Sequence, residues 1–584
     1  MSQGFSPDSW QGFTLLNHET ADGKISGEVE VYHREPGQST NQETGFVVRD
    51  ISSISQENRF EMRSGTSTSA IPAAAPAPVA KPRSGRFALN LVSNIGKLGL
   101  TMVVGAWYVP FLVRQLGPAA YGLVPLASTI TSYMALITFG LESAMARSLS
   151  ISLERQDYAR ANVVFNVVFW GNLAVALLLA VPAIVAIANI EHIVRIPPGY
   201  EAATRWLFAG TVAAFLLNQV KTAFATPCFC LNRLDLQNLV TVSETLTRVG
   251  LVVLLFLVFA PRIEYVGAAI LAGTVVSILG AICFWKVLAP CLHVRLSDFH
   301  WATLKSMCAT GGWVVVSQIG VILYMNIDLV VANRLFGPME SGRYAAVLQL
   351  PALLRALGIA VGEIFAPTMF QKYARGEGEE LAAYLNRAIK FLGLILALAI
   401  GLICGFSKPL LQLWLGPAFG SLAPLLCLMA IHLCINLSMY PLYAVPLAAN
   451  RVRVPGLVTL GVGALNLALA LVLAGVLGWG LYGIAAAGAV SLTLRHLVFT
   501  PLYGALVLHQ PLKTFYRTAI PILAATLITT GLCRLILWQW TIANWAELAA
   551  AAMMVSALFA ATTWVLLTPE ERGALKDAAA RWRK

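Results

Sequence analysis

Two stretches decide the fold: LVRQLGPAAYG (112–122) and VANRLFGPMESGRY (331–344). Each follows an apolar run, carries a basic residue near its end, turns on Gly-Pro, and leads through a Gly/Tyr pair into a second apolar run. Proline cannot continue a helix and glycine supplies the free dihedral of a turn, so each reads as a pair of apolar helices joined by a tight reversal. The two lie near 220 residues apart, and the offset recurs. LNRLDLQNLVTV (231–242) answers to AANRVRVPGLVTL (448–460), pairing Asn232 with Asn450 and Arg233 with Arg451, and YVGAA (265–269) answers to LYGIA (481–485).

The composition places this repeat in a membrane. Hydrophobic residues make up 57% of the chain and charged residues 12%, against roughly 25% charged in a soluble domain. The apolar residues come in blocks of about twenty, the length that crosses about 30 Å of hydrocarbon. They predict an all-α polytopic membrane protein of about fourteen transmembrane helices. Residues 87–288 form a first six-helix half, 289–507 a second, and 508–584 two added helices with a basic C-terminus. Six spans per half bring the second half in from the same side as the first, as in parallel repeats related by an axis along the membrane normal.

Residues 1–86 differ: Ser, Gly, Gln and Glu dominate, and SAIPAAAPAPVAKPR (69–83) is a Pro/Ala linker. Such a composition predicts a disordered cytosolic tail. The extreme N-terminus lacks a basic region followed by an apolar core, so no cleavable signal is expected. The tail holds 8 Lys/Arg against 10 Asp/Glu, which leaves 33 against 19 for the remainder. Between the spans Lys and Arg favour one side roughly three-fold, the side of Arg155, Arg233, Arg375 and Arg451. Both termini are therefore expected in the cytosol. The nine cysteines include no CxxC, so free buried thiols are expected rather than a metal site.

Charges inside spans cost about 2.5–3.5 kcal/mol each at a helix centre and so mark cavities or partners. Lys97, Arg248 and Arg355 all fall some 15–18 Å deep by residue count and read as a cationic collar for an anionic substrate. Asn90 and Asn94 stand at i and i+4 to Lys97 at i+7, a polar stripe expected to face the cavity. Glu244 precedes Arg248 by four residues, which predicts an internal ion pair. Asp328 and His432 are candidate ion-coupling groups, with Glu244 beside them; His432 aligns with Asn436 and Tyr443 on one face. Capping of a loop by Asp328 and plain packing of His432 are the competing readings. Pro351, Pro367, Pro441 and Pro446 would interrupt helices eight and ten.

Enzymatic motifs do not emerge. GWGLYG (478–483) fits GxGxxG but opens an apolar helix with no strand before it, and no GxxxxGK[ST] occurs. No cofactor, metal, catalytic residue or nucleic-acid partner is expected. The segments quoted, with NIDLVVANRLFGPMESGRYAA (326–346) at their centre, resemble the polysaccharide flippases of the multidrug/oligosaccharidyl-lipid/polysaccharide exporter superfamily over about residues 87–567. The resemblance implies two six-helix halves around a central cavity. It also implies transport of undecaprenyl-pyrophosphate-linked oligosaccharide repeat units across the bacterial cytoplasmic (inner) membrane for exopolysaccharide, capsule or O-antigen. The implied partners are that anionic lipid-linked oligosaccharide, membrane lipids, and a polysaccharide polymerase with its export machinery. A cation-coupled small-molecule exporter of the same fold is a rival, disfavoured by the cationic collar. A membrane polymerase or ligase is another, disfavoured by short external connections.

Overall fold

A computed structural model describes residues 13–19, 25–31 and 87–566. The chain divides after residue 75 into two units. In the first, β1 (Phe13–Glu19) and β2 (Ile25–Val31) pair antiparallel, with Phe13 opposite Val31 and Leu15 opposite Val29. The other residues of the expected tail, and the basic C-terminus beyond Leu566, lie outside the described residues.

The second unit is helical. The first half comprises α1 (Phe87–Tyr121), α2 (Leu123–Met134), α3 (Leu136–Glu154), α4 (Tyr158–Ala188), the short α5 (Ile190–Ile193), α6 (Glu201–Cys230), α7 (Leu234–Val258) and α8 (Glu264–Leu288). The second comprises α9 (Trp301–Glu363), α10 (Ala366–Ala374), α11 (Gly378–Gly405), α12 (Ser407–Leu415), α13 (Ala423–Ile431), α14 (Leu433–Ser438), α15 (Ala444–Ala448), α16 (Arg453–Ala470), α17 (Gly480–Thr493) and α18 (Thr500–Val507). α19 (Ala519–Gln539) and α20 (Trp545–Leu566) follow, α19 packing on α11 and α20 on α19.

Among the described residues twelve helices are long and apolar enough to cross a membrane, against about fourteen expected. The difference lies in two places. Val315–Ala374 counts once although it runs for 60 residues and turns at Gly337. The second expected span is broken at Ala135 into α2 and α3. Of the prolines, Pro351 lies within α9, Pro367 opens α10, Pro441 sits in a 3-10 turn over Tyr440–Tyr443, and Pro446 lies in α15.

The repeat is written in the backbone. Left-handed conformations occur at Gly117 (φ 78°) and Gly337 (φ 85°), at Gln156 (57°) and Gly376 (72°), and at Asn232 and Asn450 (53° each). The halves meet across this symmetry. A Cβ on Gly122 would lie 2.6 Å from the Gly342 Cα, and one on Gly342 would collide with the Pro118 carbonyl. Contact of i with j and j with i marks a two-fold axis, and it passes here between two backbones that only glycine lets approach so closely.

Apolar packing gives the halves one closed end. A single buried cluster at the Gly117/Gly337 end takes Leu112, Leu123 and Phe208 from the first half and Val331, Tyr344, Leu411 and Leu426 from the second. At the other end the clusters separate. One joins Leu354, Leu385 and Leu437 of the second half with Phe515 before α19, and another joins Met145, Phe165, Phe224 and Leu292 around the first, with Met307 at the foot of α9.

The connector after α8 is fastened to the first half by two asparagines one turn apart on α4. Asn162 donates to the Cys291 carbonyl and accepts from the His293 amide, both at 2.8 Å; Asn166 does the same with the His293 carbonyl and the Arg295 amide, both at 2.7 Å. Outside the spans, the hydrogen bond from Lys372 holds the Glu377 carboxyl below its ordinary pKa and ties the turn between α10 and α11.

Candidate functional site

The second half carries a buried polar cluster built from α9, α13, α14, α16 and α17 with the turns that follow. Its reversal at Gly337 lets α9 contribute twice: Tyr324 and Asp328 before the turn, Tyr344 and Arg355 after it. Asp328 accepts from Tyr344 Oη at 3.1 Å and from Asn466 Nδ2 at 3.2 Å. It therefore joins the two arms of α9 to α16 instead of capping a loop. Arg355 reaches Met325 Sδ at 3.3 Å and lies in electrostatic range of Asp328, Tyr344 and Tyr324, yet forms no ion pair with a carboxylate among the described residues. After α17 the backbone loosens into a π-helical turn, Leu494–Phe499, of the kind frequent at functional sites.

That turn aims Arg495 inward. Its guanidinium donates to Tyr324 Oη at 2.6 Å and Thr459 Oγ1 at 3.1 Å, and stands 5.1 Å from the ring centres of both Tyr324 and Tyr443. His496 bonds Tyr443. His432 is matched by Asn436 Nδ2 at 2.8 Å, and Asn436 also reaches Thr493 at 3.2 Å. The expected alignment of His432 with Asn436 is present, whereas Tyr443 is taken by His496.

In the first half Lys221 Nζ on α6 bonds Glu244 Oε2 on α7 and Ser277 Oγ on α8, each at 3.1 Å. The expected Glu244–Arg248 pair is corrected: the carboxylate is drawn to a neighbouring helix, whose ammonium meets it without bending along the α7 surface. Arg248 is left half-buried beside Tyr108, with its Nε and the Tyr108 hydroxyl both buried and unpartnered. Lys221→Met should lower the thermal midpoint in detergent by the equivalent of about 2–3 kcal/mol, less than a fully buried pair because the Glu244 side chain is 33% exposed. Lys221→Met with Glu244→Gln should recover most of it, and Arg248→Ala should leave the midpoint in place. A large loss from Arg248→Ala would restore the Arg248–Glu244 pair.

The polar stripe on α1 also needs correction. Asn90 is 6% exposed and bonds Asn232 through Nδ2 at 3.0 Å, while its Oδ1 accepts from the Asp235 amide at 3.2 Å. Asn94 accepts from Asn238 Nδ2 at 2.8 Å. Both fasten α1 to the start of α7, because the left-handed Asn232 turns its own amide toward α1. Lys97, the third member, is half-buried. The three collar cations thus divide: Lys97 and Arg248 lie in the first half and Arg355 in the second, with no contact joining them among the described residues. Arg495, Lys221 and Glu142 escaped the sequence reading although each is a charge within an apolar span, the same signal that marked Arg355.

The two repeats close together at one end and carry guanidinium groups within their spans that form no ion pair among the described residues, in a multi-pass, membrane-embedded fold. Residues 88–373 match the family described as polysaccharide biosynthesis protein. An uncharacterized membrane protein of Bacillus subtilis (strain 168), EpsK, is 35% identical over 488 residues, which is 83% of this chain and 97% of the relative. A putative O-antigen transporter of Shigella flexneri is 23% identical over 56% of this chain and 76% of its own. The fold is shared with lipid II flippase MurJ in an inward closed conformation (TM-score 0.57, 14% identity, 82% of this chain and 99% of that one). It is shared as well with an inward-facing multidrug resistance MATE family transporter (TM-score 0.53, 16% identity, 75% and 95%). The chain belongs to the family described as polysaccharide biosynthesis protein, together with EpsK. It is a multi-pass membrane protein, and no catalytic family is indicated.

Proposed function

We propose that this protein moves undecaprenyl-diphosphate-linked oligosaccharide repeat units across the bacterial cytoplasmic membrane for exopolysaccharide, capsule or O-antigen assembly, with both termini in the cytosol. The observation that carries the reading is the pair Arg248 and Arg355, guanidinium groups within spans that form no ion pair among the described residues. A buried cation without a carboxylate is costly unless an anion visits it, and a diphosphate presents the oxygens a guanidinium fork is shaped to bind. The likeness to proteins described as a lipid II flippase and a putative O-antigen transporter points to the same cargo. The cation bias toward the connections at Arg155 and Arg375 supports the orientation.

Ion coupling falls to Asp328, whose neighbour Asn466 keeps a buried Oδ1 with no partner. In liposomes loaded with lipid-linked saccharide, the reconstituted protein should expose inner-leaflet saccharide to an impermeant lectin, and empty liposomes should not. Saccharide that stays hidden at matched protein content would refute the cargo.

A further inference from the structure

A cavity of about 310 Å³ opens in the first half between α3, α6 and α7, apart from the Asp328–Arg355–Arg495 cluster. Its wall is made by Asn218, Lys221, Thr222, Thr226 and Phe229 of α6 and by Gln237 of α7. Lys221 lies nine residues before Cys230, the end of α6, so the chamber reaches about 14 Å inward from that end. Phe229 is 53% exposed at its rim. Under the proposed orientation this is the cytosolic side, where the cargo is presented.

The lining offers no free positive charge and mixes apolar surface with unanswered amides. Its one cation is engaged by Glu244 and Ser277 at 3.1 Å, and the carboxylate behind it, Glu142, accepts from Thr222 at 3.5 Å. A phosphate would meet no free positive charge there. An acyl chain would pack on Ala146, Ala225 and Phe229 but would leave the Asn218 and Gln237 amides without hydrogen bonds. The Thr222 and Thr226 hydroxyls donate to the Asn218 and Thr222 carbonyls at 3.1 and 2.8 Å and keep acceptor positions, and two amides remain uncommitted. Asn218 Oδ1 is buried with no partner, and the Gln237 side chain bonds no other described residue. An amide acceptor, an amide donor, hydroxyls and an aromatic face at the rim match a polyhydroxylated ring, whose O–H groups donate and accept while its C–H faces pack on an arene. The volume stands at the lower end for small-molecule sites, enough for a short saccharide segment.

We infer that this chamber is a neutral-saccharide subsite that holds part of the cargo's glycan while its diphosphate is held elsewhere. The inference rests on the proposed cargo and adds the residues that read the sugar. Gln237 and Asn218 supply recognition, Phe229 the stacking face, and the Lys221–Glu244 pair leaves no free cation in the chamber.

The test compares two probes on the purified full chain: undecaprenyl diphosphate, and the lipid-linked saccharide pool extracted from cells of the source organism that lack this protein and accumulate it. Wild type should bind the pool at least ten times more tightly than the sugar-free lipid. Gln237→Trp, which fills the chamber from its rim, and the milder Asn218→Leu should each abolish that preference while binding undecaprenyl diphosphate as before. Equal binding of both probes by wild type, or a preference surviving in both variants, overturns the subsite and leaves the cargo standing. Binding of neither probe by wild type overturns the cargo reading and the subsite with it.

Discussion

Arg355→Ala is expected to lower export on the order of a hundredfold with the protein still present in the membrane at its normal level. The side chain sits within the second arm of α9 and forms no ion pair among the described residues, while Asp328 lies in its electrostatic range and keeps its bonds to Tyr344 and Asn466 when the cation is removed. What it removes is positive charge along the proposed path of a diphosphate. About 3 kcal/mol for an uncompensated charge inside a span converts at 1.36 kcal/mol per decade to that loss in rate. Arg355→Lys should retain part of the activity, since the charge remains and the two-pronged geometry does not. The measurement is the lipid-linked saccharide held on the inner leaflet together with surface polymer, at matched protein. Normal polymer from Arg355→Ala would remove the diphosphate from this site.

A second large effect is expected from Gly342→Val. Any Cβ there enters the space of the Pro118 carbonyl, and its counterpart on Gly122 would stand 2.6 Å from the Gly342 Cα. Neither obstacle is a side chain that can swing away. The closed end of the two halves should therefore be unable to form, and transport should fall to background although each half keeps its own apolar cluster. Gly99→Ala, where nothing lies within 4 Å, is the control and should transport normally. Labelling by an impermeant thiol reagent of cysteines placed near Arg114 should rise in the valine variant. Unchanged labelling and transport would mean that the halves separate at this end without consequence.

The helices and the two-fold repeat were legible because the membrane forces long apolar blocks and because a Gly-Pro turn at both 117 and 337 leaves an unmistakable mark. The break at Ala135 was not, since its residues continue the apolar run and the backbone parts there without Gly or Pro. Asn90 and Asn94 show a limit of periodicity. Spacing establishes that side chains share a face, but the neighbour that face meets is decided by the left-handed turn at Asn232, far away in sequence. Glu244 shows the same limit for charge: the partner at i+4 was visible, and the better one on another helix was not.

The asparagines of α4 show how one position serves differently in the two repeats. Asn166 lies 220 residues before Asn386, the offset of the Gly117/Gly337 pair, so the two occupy corresponding places. In the first copy that asparagine grips the connector through the His293 carbonyl and the Arg295 amide. In the second it bonds only the Ala382 carbonyl of its own helix, and its buried Oδ1 is idle. The repeat sets the same residue at the same place and leaves its use to the neighbours: one asparagine meets the connector after α8 and the other keeps an idle oxygen, whereas Gly122 and Gly342 serve one close approach from both copies.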